Sequence, residues 1–222
     1  MRTRMVPFSR LVPRLRRIVR QISGEVDKRV DFDVLNPEGE LDRSLMERVV
    51  APLEHMLRNA VDHGIETSEG RQSAGKDGTG RINLELGREG GEVVITLSDD
   101  GKGIDPTIIK RKAYEKGLID EATLERISDQ EAINLVFAAG FSTAEVVSDL
   151  SGRGVGMDVM HAAVEQVNGI VTLESKVGEG TRLRLSLPLS IAVTNVMIIE
   201  SNRQIFGVPM DMVVETVRVQ RS

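Results

Sequence analysis

Glycine is clustered in this chain, and three of its clusters interrupt stretches that otherwise read as regular structure. Gly101 and Gly103 follow Asp99-Asp100 at the end of a β-prone run. Gly152, Gly154 and Gly156 alternate through Ser151-Gly152-Arg153-Gly154-Val155-Gly156-Met157-Asp158. Gly178 and Gly180 flank Glu179 between two alternating segments. Glycine admits backbone conformations closed to other residues and lets another group approach the main chain. With 21 glycines in 222 residues, this clustering is the most informative property of the sequence.

Composition removes several classes. Cysteine and tryptophan are absent, so there is no disulfide framework and no cysteine-based metal site or nucleophile. No apolar run approaches the roughly 18–20 residues of a membrane helix. The N-terminal arginines are not followed by an apolar core, so a secretory signal is not expected. The remainder, 40% hydrophobic and 28% charged, is that of a soluble, cytosolic globular protein of one or two domains. The net charge is −5, yet residues 1–30 hold nine Lys or Arg against two acids. A basic arm can serve nucleic acid. Here the arginines alternate with Leu11, Leu15, Ile18, Val19 and Ile22 at helical spacing, which reads as an amphipathic helix with a solvated basic face. The aromatics that accompany single-strand binding are missing, and no nucleic-acid partner or membrane insertion is expected.

Along the chain, Ser9 is placed to cap a helix running to about residue 29. Residues 31–35 read as a strand, Asn36-Pro37-Glu38-Gly39 as a turn, and 41–63 as a long helix ended by Gly64, with a kink or break expected at Pro52. Residues 67–80 read as a loop. Strands over 81–87 and 92–97 make a hairpin around Gly90-Gly91. Helices are expected from Pro106 to Lys116, between Thr123 and Ala138, and from Val155 to Val167. Strands at 169–175 and 181–187 follow. After Pro188 the texture becomes apolar and β-prone over 191–200, 204–208 and 213–219.

Three features carry chemistry. On a helix at about 100° per residue, His55, Asn59 and Asp62 share one sector, with Arg58 and His63 on its flanks and Leu53, Leu57, Ala60 and Val61 opposite. The polar face is either solvated or presented to a ligand. In the second case the Asn59 carboxamide oxygen suits Mg²⁺, and Arg58 suits phosphate. Asp99-x-Gly101-x-Gly103 is either an Asp-Gly turn or a carboxylate for an exocyclic amine, with glycines that let a flat base lie on the backbone. The stretch 151–158, ahead of an apolar-periodic helix, is either a flexible connector or an anion site of exposed N–H groups. It follows a loop rather than a strand and lacks Gly-Lys-Ser/Thr, so neither a Rossmann site nor a P-loop fits.

The order of these three, with Gly180-Thr181 entering the last strand, resembles the ATP-binding fold shared by gyrase, Hsp90, histidine kinases and MutL. It is most similar to the chemotaxis kinase family CheA. His55-x-x-Arg58-Asn59-x-x-Asp62-His63-Gly64 looks like the N box. Asp99-Asp100-Gly101-x-Gly103-Ile104-Asp105 looks like the first glycine box. Gly140-Phe141-Ser142-Thr143 with 151–158 looks like the lid and second glycine box. Arg4-Met5-Val6-Pro7-Phe8-Ser9 resembles the junction with a dimerisation hairpin, and the segment from Leu189 onward the first strands of a CheW-like domain. Ala51-Pro52-Leu53-Glu54-His55 is similar to CheA homologues of type IV pilus signalling.

The resemblance implies a two-layer α/β sandwich of Bergerat type: a mixed sheet with helices on one face. It implies a catalytic domain over 1–188 and the start of a regulatory domain over 189–222. The implied cofactors are ATP and Mg²⁺. His55 would be catalytic near the γ-phosphate, with Arg58, Asp62 and His63 nearby, and Asn59 would hold Mg²⁺. Asp99 would take the adenine amine, assisted by Thr181, Gly101, Gly103 and Ile104. Ser142, Thr143, Gly152, Gly154, Val155, Gly156 and Met157 would close over the phosphates. The implied activity is phosphoryl transfer from ATP to a histidine on a separate phosphotransfer domain of the same full-length protein. A response regulator, a CheW-like coupling protein and a chemoreceptor are the implied partners. His55, His63 and His161 are the only histidines, and none has the family's acceptor context. The chain therefore reads as a fragment without its acceptor or its dimerisation hairpin. Two other readings keep the fold: a conformational clamp of the Hsp90 or MutL kind, and a non-catalytic nucleotide-binding scaffold.

Overall fold

The computed structural model describes residues 4–141, 156–189, 196–201 and 204–209. The chain forms two compact units, Met1–Ser190 and Ile191–Ser222. In the first, β1 (Met5–Pro7) pairs antiparallel with β3 (Glu40–Asp42), and α1 (Val12–Glu25) and β2 (Val30–Leu35) lie between them in sequence. Next come α2 (Arg43–Asn59), a π-helical turn (Ala60–Gly64), α3 (Ser68–Ser73), β4 (Gly80–Glu89) and β5 (Glu92–Asp99). Then follow α4 (Pro106–Glu115), α5 (Glu121–Arg126), α6 (Asp129–Asn134), α7 (Met157–Gln166), β6 (Ile170–Lys176) and β7 (Gly180–Pro188).

The five long strands form one mixed sheet in the order β2-β4-β5-β7-β6. β2 is parallel to β4, and every other pair is antiparallel. The strands alternate buried apolar with exposed polar residues, so a single face is covered, as one-sided antiparallel sheets do. The register stacks Leu84, Leu97, Leu183 and Leu173 in one row across four strands, and Leu86, Ile95 and Leu185 in the next. On this face α2 packs between α1 and α7. α1 contributes Leu15, Val19 and Ile22, and α2 contributes Leu45, Val49, Leu53, Met56 and Leu57, all buried. The arrangement is the expected two-layer sandwich. No helix among the described residues is long and apolar enough to cross a membrane.

Several local expectations are corrected. Leu11, not Ser9, precedes the first turn of α1, because Phe8–Arg10 form a 3-10 turn of their own. α2 starts at Arg43, where the Asp42 carboxylate accepts the backbone N–H of Ser44 and Leu45. It runs unbroken through Pro52, whose ring is buried against the core. The region 67–80 contains α3, capped by Thr67. The helical structure expected between 123 and 138 is present as α5, α6 and a 3-10 turn at Leu135–Phe137.

In the second unit, β8 (Val196–Ser201) and β9 (Gln204–Pro209) pair antiparallel. The strand expected over 213–219 lies outside the described residues.

Candidate functional site

A cavity of about 590 Å³ opens between the C-terminal half of α2 and the ends of β5, β6 and β7. His55, Asn59, His63, Asp99, Gly103, Ile104, Gly156, Met157 and Thr181 line it together. These residues span more than a hundred positions of sequence, and three separate pieces of chain build the wall.

The first piece is the end of α2. Here the helix widens into a π turn, closed by Ile65 N–H donating to Ala60 O at 2.7 Å. Such turns recur at functional sites. Lys28 holds this one from outside, its Nζ donating to the carbonyls of Val61 (3.0 Å) and Asp62 (2.5 Å). Burial pushes the Lys28 ammonium below its ordinary value. Inside the cavity, Asn59 Nδ2 lies 3.2 Å from His55 Nε2 and donates to Met157 Sδ at 2.9 Å. Both partners occupy the amide nitrogen, which leaves the carboxamide oxygen for a ligand. Because Asn59 donates, His55 Nε2 accepts and its proton sits on Nδ1. Burial, reinforced by the Arg58 charge, holds His55 below the usual imidazole range, so the ring is neutral near pH 7. Arg58 and Asp62 do not line the cavity. Arg58 acts on His55 through its charge, and Asp62 lies 3.5 Å from His63 on the exposed rim.

The second piece is the end of β5 and the loop after it. The Asp99 carboxylate accepts Gly101 N–H at 2.9 Å. Burial pushes its pKa up to about 6, against the opposing backbone N–H groups of Gly101 and Thr181. A Cβ on Gly101 would lie 2.1 Å from Gly64 O. Gly103 has φ +73°, and a Cβ there would lie 2.2 Å from Lys176 O. The positions a Cβ would take are filled by protein backbone, and Gly103 itself lines the cavity. Ser175, unremarked in the sequence, fixes the far side: its Oγ accepts Ile104 N–H (2.8 Å), donates to Gly180 O (3.0 Å) and lies 2.9 Å from Thr181 Oγ1.

The third piece is the start of α7. Gly156 precedes the helix without a side-chain cap, and Val159 is the first residue of this end whose N–H reaches back to Gly156 O. The N–H groups of Met157 and Asp158 therefore have no intrahelical acceptor, and the dipole here favours an anion. Ser142, Thr143, Gly152, Gly154 and Val155 lie outside the described residues.

Sequence reasoning missed the apolar wall. Ile108, Ile109, Val136, Phe141, Leu173 and Val177 line one side of the cavity, and nothing in their spacing distinguishes them from ordinary core positions. The site thus joins a neutral carboxamide oxygen and a helix N-terminus with a buried carboxylate and an apolar slot. That set suits a ligand carrying an anionic, cation-bound end and a flat heterocycle bearing an amino group. No group of three or more His, Cys, Asp or Glu able to hold a metal occurs among the described residues.

The sequence profile of the family described as "Histidine kinase-, DNA gyrase B-, and HSP90-like ATPase" matches residues 49–191. Over its whole length the chain is 44% identical to the sensor histidine kinase CheAY of Helicobacter pylori. It is 43% identical over 99% of its length to the chemotaxis protein CheA of Borreliella burgdorferi, and 41% identical over 98% to the CheA of Halobacterium salinarum. The chain spans only 28%, 25% and 32% of those relatives, respectively.

Proposed function

The chain belongs to the family of histidine kinase-, DNA gyrase B- and HSP90-like ATPases, and from that premise we propose that it is the ATP-binding catalytic domain of a CheA-type protein histidine kinase. The observation that carries the proposal is the meeting of Asn59, Asp99 and the α7 N-terminus in one cavity. Asp99 accepts the adenine amino group, with Thr181 beside it. The apolar wall holds the base, and Met157 and Asp158 N–H groups face the phosphates. The Asn59 carboxamide oxygen, together with phosphate oxygens, would hold Mg²⁺, which would offset the charge of the triphosphate.

In the reaction, the bond from the γ-phosphorus to the β–γ bridging oxygen breaks. A bond forms to a ring nitrogen of an acceptor imidazole, ADP leaves, and the acceptor's other ring nitrogen releases a proton. His55, neutral and fixed by Asn59, stands at the phosphate end and orients this transfer. The chain's own histidines do not serve as acceptor: His55 and His63 line the cavity, and the His161 ring stacks on Phe137 at 5.0 Å. The acceptor is presented by a separate phosphotransfer domain, and the phosphoryl group passes to a response regulator in the cytoplasm. Residues from 189 onward begin a CheW-like unit that connects the kinase to a coupling protein and receptor.

Incubation with γ-labelled ATP and the phosphotransfer domain of the same full-length protein tests this. Label on that domain's histidine is expected, and His55→Gln should slow labelling while leaving Mg-ATP affinity little changed. Hydrolysis without label would instead indicate a clamp ATPase, and tight binding without turnover a scaffold.

A further inference from the structure

Among the described residues, Arg71 is the largest fully buried side chain, 1% exposed, and its guanidinium is a permanent cation. It lies on α3, outside every motif named above. A buried guanidinium is retained only where its donors are satisfied, and the partners of this one are specific. Arg71 Nη2 donates to Asp100 Oδ2 (3.0 Å), Nη1 to Asp100 O (3.2 Å) and to Glu66 Oε1 (3.1 Å), and Nε to Asp77 O (2.6 Å). Lys76 stands beside it, donating to Asp100 O (2.9 Å), Gly101 O (2.9 Å) and Glu66 Oε2 (2.8 Å). The remaining Asp100 oxygen, Oδ1, accepts Arg81 N–H at 2.8 Å.

The two cations converge on two consecutive peptide groups. A peptide unit is planar and trans, so the carbonyl of Asp100 and the N–H of Gly101 point in opposite directions within one rigid plate. With the carbonyl clamped by Arg71 and Lys76, the N–H is delivered to Asp99 Oδ1 at 2.9 Å. The next plate repeats the pattern: Lys76 holds Gly101 O, and Lys102 N–H donates to Gly64 O at 3.0 Å. Gly64 in turn backs the Asp99 carboxylate, since a Cβ there would lie 3.3 Å from Oδ2. A cation on the carbonyl also polarises the N–H at the other end of the plate.

We propose that Arg71 and Lys76 are positioning residues for purine recognition, clamping the Asp100 and Gly101 peptide groups from behind so that the Asp99 carboxylate is held in the orientation that selects an amino group at purine C6. The inference rests on the nucleotide reading above and adds to it the part that sets base specificity. Neither cation lines the cavity. A residue that only stabilised the fold would affect all ligands of the site alike, whereas this clamp governs the difference between a 6-amino and a 6-oxo purine.

Calorimetric titration of the full chain with Mg-ATP and with Mg-ITP, which carries a 6-oxo group, tests it. Wild type should prefer ATP. Lys76→Met, at a partly exposed position, and Arg71→Lys, which keeps the charge but loses the fork, should each lower ATP affinity by about tenfold while ITP affinity stays within about twofold. Circular dichroism melts show which variants are folded. A folded variant that keeps the ATP preference, or that loses ATP and ITP affinity equally, overturns the clamp. A wild-type protein that binds both nucleotides equally removes the adenine assignment to Asp99 itself, and a protein that binds neither removes the nucleotide reading.

Discussion

Asp99 is the residue at which folding and function oppose each other most directly. Its carboxyl is held near pKa 6 by burial, against an ordinary value of 3.8. Between those values the folded state binds a proton that the unfolded state has released, so stability falls as pH rises through this window. Above about pH 6 the whole penalty is in force, on the order of 2–3 kcal/mol. Asp99→Asn is therefore expected to be more stable than wild type at pH 8 and equally stable near pH 3.5, by denaturant titration, and to bind no Mg-ATP in a calorimeter. Equal stability at both pH values would contradict the burial cost; retained binding would remove the amine-accepting role. The charged carboxylate that costs stability is the form that would accept the amino group in the proposed site. Asp99 as a candidate was legible because Asp-x-Gly-x-Gly ends a strand. Its neighbour Asp100 was not, because no local pattern reveals that its partners are Arg71 on α3 and Arg81 on β4.

At the scale of the element, α2 decides where the site lies. Its length follows from apolar spacing, and its start from Asp42. That carboxylate, 8% exposed, accepts the N–H groups of Ser44 (2.9 Å) and Leu45 (3.4 Å). Asp42→Ala should cost about 1–2 kcal/mol, as lost helix caps do, read as a lower melting temperature with the ATP-to-ITP preference intact. Loss of that preference in Asp42→Ala would mean that it reports general stability rather than the clamp. The helix period showed that His55 and Asn59 share a face. It gave no sign of the π turn at Ala60–Gly64, whose carbonyls Lys28 reaches from thirty-odd residues upstream. Likewise α3 was hidden. Its six residues carry too little apolar spacing to mark a helix, and it is held by the buried Arg71.

For the whole molecule, the cavity joins pieces that the sheet alone brings together. Its walls come from α2, α4, α7 and three strands, with loop residues between them, so a ligand bound there is bound by the native arrangement only. Mg-ATP should then raise the melting temperature with concentration, by mass action, amounting to about 2.7 kcal/mol at a hundred times the dissociation constant. Chelation of the metal should remove most of the shift; a shift unchanged by EDTA would argue against Asn59 as a cation ligand. The two-layer architecture itself was legible. Alternating strands and amphipathic helices state which faces are apolar, and a single covered sheet face is the economical way to bury them.

The sequence by itself determined the elements, their apolar faces and the three polar motifs, because those depend on periodicity and on the local chemistry of glycine, carboxamide and carboxylate. Only the tertiary structure decided that backbone packs against Gly101 and Gly103 where a Cβ would stand, that the Asn59 amide is pinned by Met157, and that Arg71 stands behind Asp100. Each of these is a contact between residues distant in the chain, set by strand register and by the need to satisfy buried polar groups, and none of the three is written in any local stretch of residues.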